Sequence, residues 1–326
     1  MPTDTARPID PSPADFAGET VGQIAKRLFH ATRPKFFPAS ALPILAGTAL
    51  GVQISGQFDL TLFALALIAT VCVHAGANVV NDVGDDSGGT DRQNTDRIYP
   101  YTGGSRFIQT GIMEATGMAR LGISLLAIAA IAGLLLIMMK GWMILAFGLA
   151  GVSLAVLYSI GPIRLASIGL GELAVGVGLG VIPVVGAAWL QSGLLDSSAF
   201  LFSIPVSAWV AAILLINEVP DINADGATGK RTLPVRFGCS GTVIIYMVLQ
   251  LLAVAAVVQM TLSGLLPMLA PLVPAGLLFL AFKAASAIRL GIADRAGMTG
   301  AIETTLAIHT VGCIWLTGCA LFGFFW

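Results

Sequence analysis

The sequence predicts an all-α polytopic membrane protein with nine transmembrane helices and a cytoplasmic N-terminus. Three observations support this: the composition, the lengths of the apolar segments and the placement of the basic residues. Of the 326 residues, 56% are hydrophobic and 11% are charged, with a mean hydropathy of +0.88, whereas about 25% of residues are charged in soluble proteins. The net charge of −1 lacks the basic excess of a nucleic-acid-binding protein, so no nucleic-acid partner is expected.

The apolar residues fall into nine segments of roughly the length that a helix needs to cross a bilayer. The first is short and contains two prolines, Pro38 and Pro43. The segments are 38–55, 60–82, 117–138, 142–160, 168–190, 199–219, 241–263, 266–288 and 303–325.

The basic residues indicate the orientation. With the N-terminus inside, the loops after segments two, four, six and eight are cytoplasmic. All 17 lysines and arginines except Lys140 then lie in these loops, in the N-terminal region or at cytoplasmic helix ends. Because cytoplasmic loops of membrane proteins carry the excess of lysine and arginine, this distribution favours a cytoplasmic N-terminus.

The region before the first segment divides into two parts. Residues 1–18 are polar and contain proline, and we expect a disordered tail without a cleavable signal peptide. In residues 19–36, Thr20 and Gln23 have the spacing of a capping box. Apolar residues then recur at helical spacing and predict an amphipathic helix at the membrane surface. They are Val21, Ile24, Ala25, Leu28 and Phe29. Residues 37–326 form the expected transmembrane domain.

Two copies of the pattern N-x3-D-x3-D lie at the ends of segments two and six, so both are expected at the cytoplasmic side. Residues four apart lie on one helical face, about 6 Å of rise from each other, so each copy forms a polar stripe. The copies are Asn78, Asp82 and Asp86, and Asn217, Asp221 and Asp225.

Facing carboxylate stripes repel one another unless cations lie between them. Hard oxygen ligands favour Mg²⁺, which commonly keeps water and shares substrate phosphates. The pattern therefore predicts a Mg²⁺-dependent site that handles a diphosphate, with the four aspartates as candidate catalytic residues.

Basic residues that suit a phosphate follow both motifs. Arginine contacts phosphate oxygens bidentately, and lysine acts as a point charge. Each such residue also has a simpler role as a topology signal. The candidates are Arg92, Arg97 and Arg106 after the first motif, and Lys230, Arg231 and Arg236 after the second.

Tyr158 and Ser159, at the end of segment four, lie at the same expected level as the motifs. They are candidates for hydrogen bonds to a phosphate, although a tyrosine there is also typical of an interfacial anchor. Together these groups suggest ionisation of an allylic diphosphate inside an apolar cavity, followed by capture of the cation by an electron-rich acceptor.

At these residues the sequence resembles the UbiA superfamily of intramembrane aromatic prenyltransferases, from about Arg33 onward. Within it, the chain is most similar to the 1,4-dihydroxy-2-naphthoate polyprenyltransferases of menaquinone synthesis. The loop 96–101 departs from the common pattern of that branch, which leaves the acceptor open. The matching stretches are 33–38, 81–85, 89–91, 102–106, 158–162, 169–172, 221–225 and 229–233.

The resemblance implies a nine-helix bundle around a central cavity that opens to lipid. It also implies that a polyprenyl diphosphate and an aromatic acceptor are the substrates. By the resemblance, Mg²⁺ and diphosphate are held by Asn78, Asp82, Asp86, Asp221 and Asp225. Arg33, Tyr158, Ser159 and Lys230 are implied as diphosphate neighbours, beside the candidates Arg92, Arg106 and Asn217.

The expected enzyme thus transfers a polyprenyl group, with 1,4-dihydroxy-2-naphthoate as the preferred acceptor, in a bacterial inner membrane with its active site facing the cytoplasm. Other acceptors of the superfamily remain alternatives: 4-hydroxybenzoate, homogentisate, haem and a chlorophyll precursor. A cation-coupled transporter is disfavoured because such sites lie near the bilayer centre. A CDP-alcohol phosphotransferase is disfavoured because the aspartates of that family lie in one contiguous run, whereas here they are split between two distant loops.

Overall fold

A computed structural model describes residues 10–88, 94–159 and 164–323, with the side chains of Gly88 and Ser159 excepted. All regular secondary structure in these ranges is helical, which confirms the predicted all-α class. The α-helices are α1 Val21–Ala31, α2 Pro38–Ser55, α3 Leu60–Gly88, α4 Ala115–Lys140, α5 Met143–Ser159, α6 Gly171–Val175, α7 Ile182–Ser192, α8 Ser197–Asn217, α9 Ile222–Ala227, α10 Leu233–Leu262, α11 Leu272–Leu290 and α12 Arg295–Gly323. A π-helical segment, Gly176–Val181, joins α6 to α7.

Within the described ranges, seven stretches are long and apolar enough to cross a membrane. The last of them, Leu272–Gly323, contains both α11 and α12, which meet at the 3-10 turn Gly291–Asp294. A further apolar helix, Met143–Tyr158, is shorter. The protein is therefore an integral membrane protein, while the number of nine crossings and the cytoplasmic N-terminus stay predictions.

The centre of the bundle is formed by α2, α8 and the stretch from α6 to α7. The pair α3 and α4 lies at its edge with most of its surface outward. Small residues allow the central helices to approach closely. A Cβ atom on Gly47 of α2 would lie 2.2 Å from the carbonyl oxygen of Val184 in α7. A Cβ on Gly180 would lie equally close to the hydroxyl of Ser207 in α8. Such contacts are typical of helix packing in membranes, where backbone proximity replaces the hydrophobic effect.

The N-terminal region differs in part from the expectation. The capping box of Thr20 and Gln23 is present, and α1 follows it. Residues 13–16, expected within a disordered tail, instead form a 3-10 turn, and the ring of Phe16 is buried. Phe16 packs on Phe107, with the ring centroids 4.8 Å apart. The polar composition predicted disorder because composition does not reveal that one side chain, Phe16, anchors the segment. Residues 1–9 lie outside the described ranges.

Candidate active site

The first acidic motif lies on the last turns of α3. Asp82 is only 3% exposed, and its Oδ2 accepts a hydrogen bond from the backbone N–H of Ser105 at 2.9 Å. Its Oδ1 is buried, and no described donor reaches it. Asp86, one turn later, accepts a bond from the side chain of Gln109 at 3.3 Å. Because α3 continues through the polar motif, the predicted stripe exists as one helical face.

The second motif is divided between two helices. Asn217 ends α8, Asp221 precedes the first residue of α9, and Asp225 lies within α9. Asp225 is buried, and its Oδ1 lies 3.0 Å from the Nζ of Lys230. The predicted single stripe is therefore interrupted at residues 218–221, and Lys230 returns to the motif across a short loop.

The loop 94–106 connects the two motifs. The side-chain amide of Asn94 donates to Oδ1 of Asp221 at 2.7 Å, and the backbone of Ser105 donates to Asp82. The amide of Asn223 donates to Oδ2 of Asp96 at 2.9 Å, which makes a second link to the region of the second motif. The two motifs are thus held at one end of the bundle by donors from one loop.

Burial dominates the electrostatics of the second motif. It raises the pKa of Asp221 to about 6, partly offset by the hydrogen bond from Asn94. Burial, with the neighbouring carboxyl of Glu172, raises the pKa of Glu218 well above its usual value. For Lys230, burial opposes the charge, but the carboxylate of Asp225 outweighs it and the pKa is raised. The clustered carboxyls of this region therefore favour the binding of cations that neutralise them.

Arg33 lies close to the loop and contacts it. Its backbone is left-handed, with φ 58°. Its Nη2 donates to the carbonyl oxygen of Tyr101 at 2.9 Å, and its guanidinium lies over the ring of Phe36. Arg33 therefore holds the loop, and its binding of diphosphate stays a prediction.

Of the remaining predicted residues, some are described by the structure and others are not. Tyr158 lies within electrostatic range of Glu172, Glu218 and Asp225. Arg106 follows Ser105 directly and is buried. Arg92 and the side chain of Ser159 lie outside the described part of the chain.

Sequence reasoning missed several residues of this site. Glu218 is 8% exposed, and its carboxyl lies within electrostatic range of that of Glu172. Asp85 lies within electrostatic range of Lys230 and Asp225. Glu218 is adjacent to Asn217, and Asp85 is one helical turn from Asp82, so spacing alone offered a signal for both. Nothing in the spacing indicates Asn94, which only the folded loop brings to Asp221.

The residues present fit a cation that is shared with a substrate. Among the described residues, no three His, Cys, Asp or Glu side chains come together to hold one metal ion by themselves. The buried Oδ1 atoms of Asp82 and Asn217 are nevertheless reached by no described donor, and both are hard oxygen ligands. A magnesium ion here requires further oxygens, which a diphosphate supplies.

Two cavities lined by described residues lie away from the motifs. One, of about 250 Å³, is an apolar crevice between α1, α3 and α4, lined by Phe29, Phe37 and Cys72 among others. The other, of about 360 Å³, lies at the opposite end of the bundle, beside Asp59 and Lys140. The expected central cavity stays a prediction.

Comparison with known proteins adds the family. The model of the UbiA prenyltransferase family matches residues 40–296. A 1,4-dihydroxy-2-naphthoate octaprenyltransferase from Mycobacterium tuberculosis is 30% identical over 293 residues, which are 89% of this chain and 95% of that protein. The protein of the same name from Bacillus subtilis is 29% identical over 76% of both chains. The one from Escherichia coli is 33% identical over 63% of this chain and 67% of that protein.

Solved structures show the same fold. The apo structure of a UbiA homologue from Aeropyrum pernix superposes with a TM-score of 0.64 at 18% identity, covering 87% of this chain and 96% of that one. A UbiA homologue from Archaeoglobus fulgidus, solved with GPP and Mg²⁺, also gives 0.64, at 16% identity, with 90% of this chain and 99% of that one covered.

Proposed function

Because this chain belongs to the UbiA prenyltransferase family, we propose that it transfers a polyprenyl group from polyprenyl diphosphate to 1,4-dihydroxy-2-naphthoate. The observation that carries the proposal is the loop 94–106, whose donors bind Asp82 of the first motif and Asp221 of the second. The names of the relatives support the choice of acceptor. Family membership does not agree with the transporter and CDP-alcohol alternatives.

In the proposed reaction, the bond between C1 of the prenyl chain and the diphosphate oxygen breaks, and its electron pair leaves with the diphosphate. An aromatic carbon of the acceptor forms the new bond to C1, and the acceptor loses its carboxylate as carbon dioxide. Asn78, Asp82, Asp86, Asp221 and Asp225 would hold Mg²⁺, which would supply neutralising charge for the leaving group. That set is supported by the hard-ligand chemistry of the motifs and by the Mg²⁺ in a solved homologue.

This chain's own residues then have distinct tasks. Lys230, 3.0 Å from Asp225, provides a cation at the second motif for a phosphate oxygen. Asn78, Asn217, Arg33, Arg92, Arg106, Tyr158 and Ser159 are the further groups proposed to bind the diphosphate. The apolar helices exclude water from the allylic cation, so that the ring rather than water captures it. We place the site at the cytoplasmic face of a bacterial inner membrane, because the basic residues concentrate at that end.

The test is a transfer assay on the purified protein in detergent. Geranylgeranyl diphosphate is offered with 1,4-dihydroxy-2-naphthoate, or separately with 4-hydroxybenzoate, in Mg²⁺ or in EDTA. The expected result is a prenylated naphthoquinol that forms only with Mg²⁺. Product from 4-hydroxybenzoate alone would retain the reaction class and replace the acceptor. If longer donors also gave no diphosphate release from a folded preparation, the proposal would be wrong.

A further inference from the structure

An acidic side chain of the N-terminal segment lies against two arginines beside the first motif. Asp10 accepts from Arg97 through both carboxylate oxygens, from Nε at 3.0 Å and from Nη2 at 2.5 Å. The same carboxylate lies 3.6 Å from Nε of Arg106. The side chains of Arg97 and Arg106 are 9% and 8% exposed, and that of Asp10 is 30% exposed. A carboxylate therefore occupies a buried, two-arginine anion site.

The two arginines are attached to the two acidic motifs. Arg97 donates from Nη1 to the carbonyl oxygen of Asn94 at 2.5 Å, and the amide of Asn94 donates to Asp221. Arg106 follows Ser105, whose N–H binds Asp82. An anion between these arginines thus lies between the groups that hold the first and the second motif.

The backbone keeps both arginines in this arrangement. Arg106 has a left-handed conformation, φ 64°, which costs energy in a residue with a side chain and so depends on the surrounding contacts. Gly103 has φ 72°, and a Cβ there would lie 2.8 Å from Cβ of Arg97. The guanidinium of Arg295 donates to the carbonyl oxygen of Arg97. The anion site is therefore built into the loop rather than formed by long side chains that meet in solvent.

Asp10 precedes a segment that is packed against the rest of the protein. The ring of Phe16 lies against Phe107, the residue after Arg106. Lys26 of α1 donates to the carbonyl oxygen of Asp15 at 3.0 Å, and Arg27 donates to that of Phe16 at 3.3 Å. These contacts hold the segment, whereas Asp10, which precedes the 3-10 turn, makes its hydrogen bonds to the described residues through its side chain.

We propose that Arg97 and Arg106 form an anion site for the diphosphate of the prenyl donor, and that Asp10 is an internal competitor for this site. The inference rests on the proposed function, and it adds Arg97 and Asp10 to the residues that govern donor binding. Planar guanidinium groups suit phosphate oxygens as well as carboxylates, and a diphosphate carries more charge than one carboxylate. The donor therefore displaces Asp10, and the segment around Phe16 stays in place.

The first experiment measures binding of inorganic diphosphate and of geranylgeranyl diphosphate, with Mg²⁺, to the full-length protein. Asp10→Asn keeps the shape of the side chain and removes its charge. We expect both ligands to bind about 3- to 10-fold more tightly, which is the size of one partly exposed ion pair. Asp15→Asn is the matched control, since it lies in the same segment and makes no ion pair with the described residues; we expect it to bind like the wild type.

A second variant identifies the arginine. Arg97→Gln should weaken binding of both ligands about 10-fold or more, and Asp10→Asn should have no further effect in that background, because the competitor then has lost its main partner. Asp10→Ser provides a second charge-free variant should Asp10→Asn fail to fold. Gel filtration in detergent checks each preparation.

The outcomes separate the two proposals. A wild-type protein that binds neither ligand would remove the proposed function and this inference with it. A wild-type protein that binds both, with Asp10→Asn equal to or weaker than it, would overturn the inference alone. Weaker binding would mean that Asp10 orients the arginines rather than competes with the donor.

Discussion

The two carboxylate oxygens of Asp82 have different environments. One carboxylate oxygen is fixed by the backbone of Ser105, and the other is buried and reached by no described donor. The second oxygen therefore has a fixed orientation, since the first contact restrains rotation of the carboxylate. Asp221 has the same kind of orientation from Asn94.

We therefore expect Asp82→Asn or Asp221→Asn to reduce the rate of prenyl transfer about 100-fold or more, the size seen when a charge-stabilising group is removed, while the protein still folds. The measurement is turnover with geranylgeranyl diphosphate in Mg²⁺. Asp59→Asn is the control: Asp59 binds the N–H groups of Thr61 and Leu62 at the start of α3, and asparagine does the same. Full activity in either motif variant would contradict the metal–diphosphate site.

The carboxyl pair of Glu172 and Glu218 gives a second prediction at this scale. The two carboxyls are buried beside each other, and each has an oxygen that no described donor reaches. Glu218→Gln offers an amide donor to Glu172, whereas Glu218→Ala leaves Glu172 buried without that neighbour. We expect the alanine variant to be about 1–3 kcal/mol less stable than the glutamine variant, measured as thermal unfolding in detergent. Equal midpoints would show that the pair does not stabilise the fold.

At the scale of elements, helix α3 shows why a hydropathy boundary is a poor guide to a helix end. The apolar segment was expected to stop at residue 82, but the helix continues to Gly88. Helical hydrogen bonds do not require apolar side chains, and Asn81 and Asp85 support this turn through their own hydrogen bond at 2.8 Å. The extension places Asp86 on the same face as Asp82.

The contact between α2 and α7 predicts a sensitive position. Gly47→Ala places a methyl group against the carbonyl oxygen of Val184, and overpacking of this kind costs about 1–3 kcal/mol. Gly148→Ala in α5 is the matched control, because a Cβ there meets no other atom within 4 Å. We expect a lower thermal unfolding midpoint for the first variant only. A shift of equal size in both variants would point to a general effect of alanine rather than to this contact.

At the scale of the whole molecule, the orientation can be measured with single introduced cysteines, after the four free native cysteines have been replaced. Lys140→Cys lies at the last residue of α4, just before the connection to α5, and Thr228→Cys lies after α9 near the second motif. With the N-terminus inside, a membrane-impermeant maleimide should label the first in intact cells and the second only after permeabilisation. The reverse pattern would place the acidic motifs outside.

The sequence by itself determined the helical membrane class, the capping box before α1, the family and the residues of both acidic motifs. These follow from composition and from spacing along one chain, and a helix converts spacing directly into a shared face. The resemblance to the 1,4-dihydroxy-2-naphthoate polyprenyltransferases agrees with the names of the relatives. The number of crossings and the acceptor were predicted, and they await the measurements described above.

Only the tertiary structure decided how the parts of the site meet. The pairing of Asn94 with Asp221, the carboxyl pair of Glu172 and Glu218, and the contact of Asp10 with Arg97 join residues far apart in the chain. Such contacts depend on loop paths and on the burial of a few anchors such as Phe16, and neither leaves a periodic signal in the sequence. Spacing along the chain indicates candidate ligands, whereas long-range geometry selects the residues that contact them.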